Sequence, residues 1–133
     1  MKKGYVLAAS ILAVLGGVFW FSTRSASDTT TAPLVVQPAL SALAARGEAV
    51  YFGTCAACHG ENLTGTESGP PLIHPLYRPG HHSDYSFVRA VQNGVHPHHW
   101  PFGAMPPQPH IDDDALIEVI RYIREVQRAN GIE

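Results

Sequence analysis

The stretch Cys55-Ala56-Ala57-Cys58-His59 decides how the rest of the chain reads. Two cysteines three positions apart, followed at once by histidine, form the pattern of covalent c-type haem attachment. On a helix the two thiols lie about one turn apart. That spacing suits thioether bonds to the two vinyl groups on one porphyrin edge. The adjacent imidazole then supplies a neutral nitrogen to the iron. A disulfide redox motif and half of a zinc site use the same residues. The first belongs in a βαβ context, and the second needs another pair of ligands. The chain has two cysteines in all, so neither alternative is completed.

Toward the N-terminus, Lys2 and Lys3 precede an apolar run from Gly4 to about Ser22. A cleavable secretory core covers ~7–15 residues and a spanning helix ~17–25, so this run favours the longer class. Phe19, Trp20 and Phe21 close it with aromatic rings, which suit a membrane interface. Ser25-Ala26-Ser27, with Arg24 before it, is a poor cleavage site. Residues 1–23 are therefore expected to be an uncleaved signal-anchor, with a removed signal peptide as the alternative. In both cases the lysines stay in the cytoplasm and the remainder is exported. The expected location is the cytoplasmic membrane, single-pass, with the haem domain on the periplasmic side. Cleavage would instead release it as a soluble periplasmic protein. Residues 24–38 are small and polar with two prolines, and read as a flexible linker. Residues 39–133 are expected to form one folded domain.

Beyond Arg24, which flanks the anchor, the exported part holds six arginines, no lysine and eleven acidic residues, a balance of −5. Nucleic acid is an unsuitable partner for such a surface. A redox protein with a basic docking patch fits it better, although the same charge also serves solubility.

Three helices are expected in the folded part, with little strand signal. The first spans about Ala39 to Tyr51, with Ser41 as cap if the start slips inward. Leu40, Leu43, Ala44, Gly47, Val50 and Tyr51 fall at three- and four-residue spacing and make its apolar face. Gly47 costs helix stability, up to ~1 kcal/mol, and makes sense where another helix crosses closely. Residues 60–79 are rich in Gly, Pro and Thr and read as loop. The second helix covers about Ser83 to Gln92, with Asn93-Gly94 as its stop and Phe87, Val88 and Val91 as its buried face. Residues 95–110 form a second loop, dense in His and Pro. The last helix is capped by Asp112, with Asp113 and Asp114 at the positive dipole end and Arg121, Arg124 and Arg128 toward the negative end. Leu116, Val119, Ile120, Ile123 and Val126 form its apolar stripe, and Asn130-Gly131 ends it.

Besides Met1, Met105 is the only methionine. It sits between Gly103-Ala104 and Pro106-Pro107, on a stiffened, non-helical loop. A thioether held there suits a sixth iron ligand opposite His59, and His/Met ligation raises the reduction potential. The bland reading is a gap-filling core methionine.

With these motifs assembled, residues 40–130 resemble class I cytochrome c. The resemblance rests on Gly47-Glu-Ala-Val-Tyr51, the Cys55–His59 motif with Gly60, Gly69-Pro70-Pro71-Leu72, Gly103-Ala104-Met105-Pro106 and Val119-Ile-Arg-Tyr122-Ile123. It implies an all-α class I cytochrome c fold, three to four helices around one covalently attached haem c, behind the N-terminal anchor. It further implies that Gly47 and Tyr51 pack against Val119 and Tyr122, that the Pro70 carbonyl accepts the Nδ1–H of His59, and that Leu72 packs on the haem. The implied function is one-electron transfer between respiratory or redox partners, free or as a subunit of an oxidoreductase complex. With both axial positions filled, the iron has no open site for catalysis.

Seven further histidines depart from the family pattern: His74, His81, His82, His96, His98, His99 and His110. Three readings compete for them. They are surface side chains without a metal role. They form a Cu or Zn site built from His96, His98 and His99 with the His81-His82 pair, which would make a copper-handling cytochrome. Or one of them replaces Met105 on the iron. A haem-based ligand sensor is a further alternative. Trp100 either hydrogen-bonds a haem propionate through its indole N–H or packs in the core, and Arg78 and Arg89 are candidate propionate partners.

Overall fold

The computed structural model describes residues 34–133. The anchor expected at 1–23 and most of the linker lie outside the described residues. Among the described residues, no helix is long and apolar enough to cross a membrane. The elements are α1 (Ala42–Thr54), α2 (Ala56–His59), a 3-10 turn (Pro75–Tyr77), α3 (Asp84–Asn93) and α4 (Asp113–Ala129). No strand forms among the described residues, which hold two isolated antiparallel bridges, Thr66 with Gly69 and Val95 with Met105.

Helix α1 starts and stops three residues later than its periodicity suggests. The Ser41 hydroxyl accepts from the Ala44 N–H at 3.2 Å, the N-cap geometry that satisfies an orphan donor. Glu125 of α4 accepts from both the Ser41 N–H (2.9 Å) and its hydroxyl (2.8 Å). A contact 84 residues away in sequence thus sets the start. The folded part also reaches back into the expected linker. Val35 packs against the core, and the Asn130 amide exchanges two 2.9 Å hydrogen bonds with the Val36 backbone.

Helices α1 and α4 cross at Gly47, which is buried against the Glu118 and Val119 backbone. Beside the crossing, the Tyr51 and Tyr122 rings meet at 5.4 Å. With Ala44, Leu116, Val119, Ile123 and Val126 they form the core. Tyr51 is fully buried, and its hydroxyl donates to the Gly60 carbonyl at 2.6 Å. Burial pushes its ionisation far above the usual range, so the phenol stays a donor. The bond ties α1 to the chain just after His59. Tyr51→Phe removes that bond and leaves the Gly60 carbonyl with the Leu63 N–H alone, at 3.1 Å. It is expected to lower the unfolding free energy by ~0.5–1.5 kcal/mol, read as a fall in denaturant midpoint at constant slope; an unmoved midpoint would refute it.

Helix α3 begins at Asp84, with Ser83 at the cap position. Its apolar side is only half covered. Phe87, Val88 and Val91 touch the core, and Phe87, Ala90 and Val91 also line a cavity. Helix α4 starts where its cap predicts. The Asp112 carboxylate accepts from the Ala115 N–H at 2.8 Å.

Candidate cofactor-binding site

The CxxCH motif lies across the end of α1 and the short α2. The Cys55 N–H donates to the Tyr51 carbonyl at 2.7 Å, and the Cys58 and His59 N–H groups donate to the Cys55 carbonyl at 3.1 and 2.9 Å. These bonds wind the motif helically, so the two thiols share a face. Partial burial, with Cys58 beside it, pushes the Cys55 thiol up to about 11. A redox-active CxxC needs the opposite shift, which counts against the disulfide-exchange reading.

The His59 ring is half-buried, and its Nδ1 lies 2.9 Å from the Pro70 carbonyl. Burial lowers the imidazole pKa, against an upward pull from that hydrogen bond. The ring is therefore neutral, with Nδ1–H given to Pro70 and the lone pair left on Nε2. The Gly69-Pro70-Pro71-Leu72 segment is held in turn by Leu72, whose N–H donates to the Leu63 carbonyl at 2.8 Å and whose carbonyl accepts from Gln127 Nε2 at 2.8 Å.

Met105 comes from the other side of the chain's path. Its N–H and carbonyl pair with Val95 at 3.0 and 2.9 Å. The bridge closes residues 95–105 into a loop whose neck abuts the end of α3. Gly94 makes that neck possible. It has φ +75°, and a Cβ there would lie 2.6 Å from the Met105 carbonyl oxygen.

These segments enclose a cavity of about 780 Å³, within the ~300–1,000 Å³ of sites for sizeable organic groups. Cys55, Cys58, His59, Pro70, Leu72, Trp100 and Met105 all line it, and α4 contributes Val119, Ile120 and Ile123. Two thiols, one neutral imidazole and one thioether around an apolar chamber fit a covalently attached haem.

The Trp100 indole N–H donates to the Tyr77 hydroxyl at 3.2 Å, and the residue lines the cavity. Tyr77, which the sequence reading passed over, lines the same cavity. Burial raises its pKa, partly offset by the Trp100 bond, and its own O–H remains to be donated. Of the two candidate propionate arginines, Arg89 lines the cavity and Arg78 does not. Arg78 is exposed and donates to the Pro75 carbonyl at 3.1 Å.

Among the histidines, one ring nitrogen each from His81, His82 and His99 lie within 4.8 Å of one another. Of the set expected from spacing, His81, His82 and His99 converge, while His96 and His98 stand outside this group, the His96 carbonyl lying 3.0 Å from His98 Nδ1. The reason is that short spacing along a loop does not aim rings at one point. Partial desolvation, and then the nearby His98, His82 and His81, hold His99 below the usual histidine range.

Arg124 and Gln127 were also missed as site-building residues. Both are buried on α4. Arg124 donates from Nε to Asp84 (2.7 Å), from Nη1 to the Tyr77 carbonyl (2.7 Å) and the Gln127 side chain (2.6 Å), and from Nη2 to the His82 carbonyl. It thereby fixes the cavity wall between the 3-10 turn and α3. The signal was present in the spacing, since Ile120, Ile123, Arg124 and Gln127 recur at three and four residues on the apolar stripe.

Residues 44–127 match the family model described as Cytochrome c. No curated protein and no solved structure matches the chain.

Proposed function

The chain belongs to the cytochrome c family, and from that premise we propose a class I, single-haem electron carrier with His59 and Met105 as axial ligands. Family membership makes it an all-α electron-transfer protein with covalent haem c. The finer reading rests on one observation. A neutral His59, with Nδ1 at the Pro70 carbonyl, and Met105, on its bridged loop, line the same chamber.

A haem c held there supplies one-electron Fe(III)/Fe(II) cycling. Cys55 and Cys58 would hold it by thioethers. His59 would present Nε2 to the iron, its tautomer and basicity set by Pro70. Met105 would fill the sixth position with a soft thioether, which favours the reduced state. Leu72, Val119, Ile120 and Ile123 would give the group an apolar wall, and Tyr77 has an O–H to offer a haem carboxylate.

The apolar run at 4–22 and the acidic balance of the rest support a membrane-tethered carrier facing the periplasm. Its partners would be redox proteins with basic docking patches, either separate or within one oxidoreductase complex. Met105→Ala tests the ligand assignment. The far-red sulfur-to-iron(III) band is expected to disappear, and the potential to fall by on the order of 0.1 V, within the ~0.8 V range that axial ligands control. Retention of both would reject Met105. Ready CO binding by the unaltered reduced protein would favour a ligand sensor instead.

A further inference from the structure

The residues assigned to the haem leave one side-chain cluster unexplained. His81 and His82 close a turn in which both N–H groups donate to the Arg78 carbonyl, at 2.9 and 2.8 Å. His98 and His99 belong to the loop gathered by the Val95–Met105 bridge. The fold brings the two pairs together. Ring centroids are 4.7 Å apart for His81–His82 and 5.5 Å for both His81–His99 and His82–His99. His98 lies 4.2 Å from His99 and stacks on His82 at 6.4 Å.

We propose that His81, His82 and His99 form a binding site for one divalent transition-metal ion of the imidazole-preferring class, Cu(II) or Zn(II). The site borders the haem chamber, which His81, His82 and His99 also line, but it uses none of the residues assigned to hold the haem. Its donor set is all nitrogen, which suits copper and zinc and does not suit calcium or magnesium, whose sites are built from oxygen. His82 has the support that ligating histidines have. Its Nδ1 lies 2.8 Å from the Leu76 carbonyl, so Nδ1 carries the proton and Nε2 keeps the lone pair. Arg124 holds the same residue from behind through its carbonyl. One fixed ring therefore meets two exposed ones, and an ion can enter from solvent and draw His81 and His99 inward. Bonds of ~2.0–2.1 Å place tetrahedral nitrogens about 3.4 Å apart, so closure from 4.8 Å needs only rotations of exposed side chains. Three protein ligands leave a fourth position for water.

The test is equilibrium titration of the purified holoprotein with Zn(II) and Cu(II) salts against a competing chelator. One equivalent should bind. His81→Ala and His99→Ala should each weaken binding by at least ~10-fold, the minimum seen when even supporting residues are lost, and the double variant should bind none. His96→Ala and His110→Ala should match the parent. Unchanged haem content and visible spectrum in every variant would show that the fold and the haem are intact. The proposal is overturned by the absence of stoichiometric binding, by binding that survives the double substitution, or by equal dependence on His96. It is also overturned if the double variant keeps its metal while its metal-free haem potential moves, since the rings would then serve the haem carboxylates.

Discussion

Gly47→Ala is expected to prevent accumulation of folded, haem-loaded protein, or to leave it unfolding far below the parent. A Cβ on Gly47 would lie 1.9 Å from the Glu118 carbonyl oxygen, 2.2 Å from its carbon and 2.7 Å from the Val119 nitrogen. All three are backbone atoms of α4, so no rotamer change relieves the clash. The helices would have to separate, and the separation would unpack Ala44, Tyr51, Val119 and Tyr122 together. It would also pull apart the Arg46–Glu118 ion pair and the Ser41–Glu125 clamp. Overpacking against backbone belongs at the upper end of single substitutions, about 4 kcal/mol or more, against a total stability of ~5–15 kcal/mol. Gly53 provides the internal control. It lies in the same helix, and a Cβ there meets nothing within 4 Å. Gly53→Ala should stabilise by roughly 0.4–1 kcal/mol through the unfolded chain. The same chemical change thus carries opposite signs six residues apart. Haem-stained yield and denaturant midpoints measure both, and a Gly47→Ala protein melting like its parent would remove the close crossing from consideration.

Arg124→Leu is expected to destabilise by ~3 kcal/mol and to lower the melting midpoint by on the order of 15 °C. The arginine side chain is 7% exposed, while its partner Asp84 is 67% exposed. The ion pair itself therefore contributes little. The cost comes from the other end of the fork. Removing the guanidinium strips the Tyr77 and His82 carbonyls and the Gln127 side-chain oxygen of their donor at one stroke. It also removes the cation 4.8 Å above the Phe87 ring. Arg124→Lys should recover only part of the loss, because one ammonium cannot serve four acceptors spread across a planar fork. If leucine instead fills the site and stability is unchanged, the hydrogen-bond account of Arg124 fails.

The two expectations differ in how far the sequence announces them. Gly47 stands out as a glycine on the apolar face of a helix, which makes sense at a close crossing, and the family resemblance implies its pairing with Tyr51 there. Arg124 is concealed by its charge. An arginine late in a helix reads as a complement to the dipole, and although its spacing sets it on the apolar stripe, the packing alone shows which acceptors it serves. Boundaries behaved similarly. Asp112 caps α4 by a local hydrogen bond, and local bonds are legible. Ser41 caps α1 by a local bond of the same kind, and Glu125, on another helix, adds a hold that the sequence does not announce. Val35 and Val36 read as linker because nothing near them in sequence shows that Val35 will pack on the core and that the Asn130 amide will bind the Val36 backbone.

What the sequence determined alone is the chemistry of each donor. CxxCH, one methionine between prolines and the GPPL turn are short-range patterns, and their bonding needs are set by residue type. What tertiary structure decided is which donors meet. Met105 is carried to the haem chamber by its bridge to Val95, and His82 is joined by His99 rather than His96. Such meetings depend on two loops closing over a distance that local spacing does not encode. Side-chain convergence is a property of the closed fold, and there the backbone bonds of Arg124, Gly94 and Val95 set the geometry.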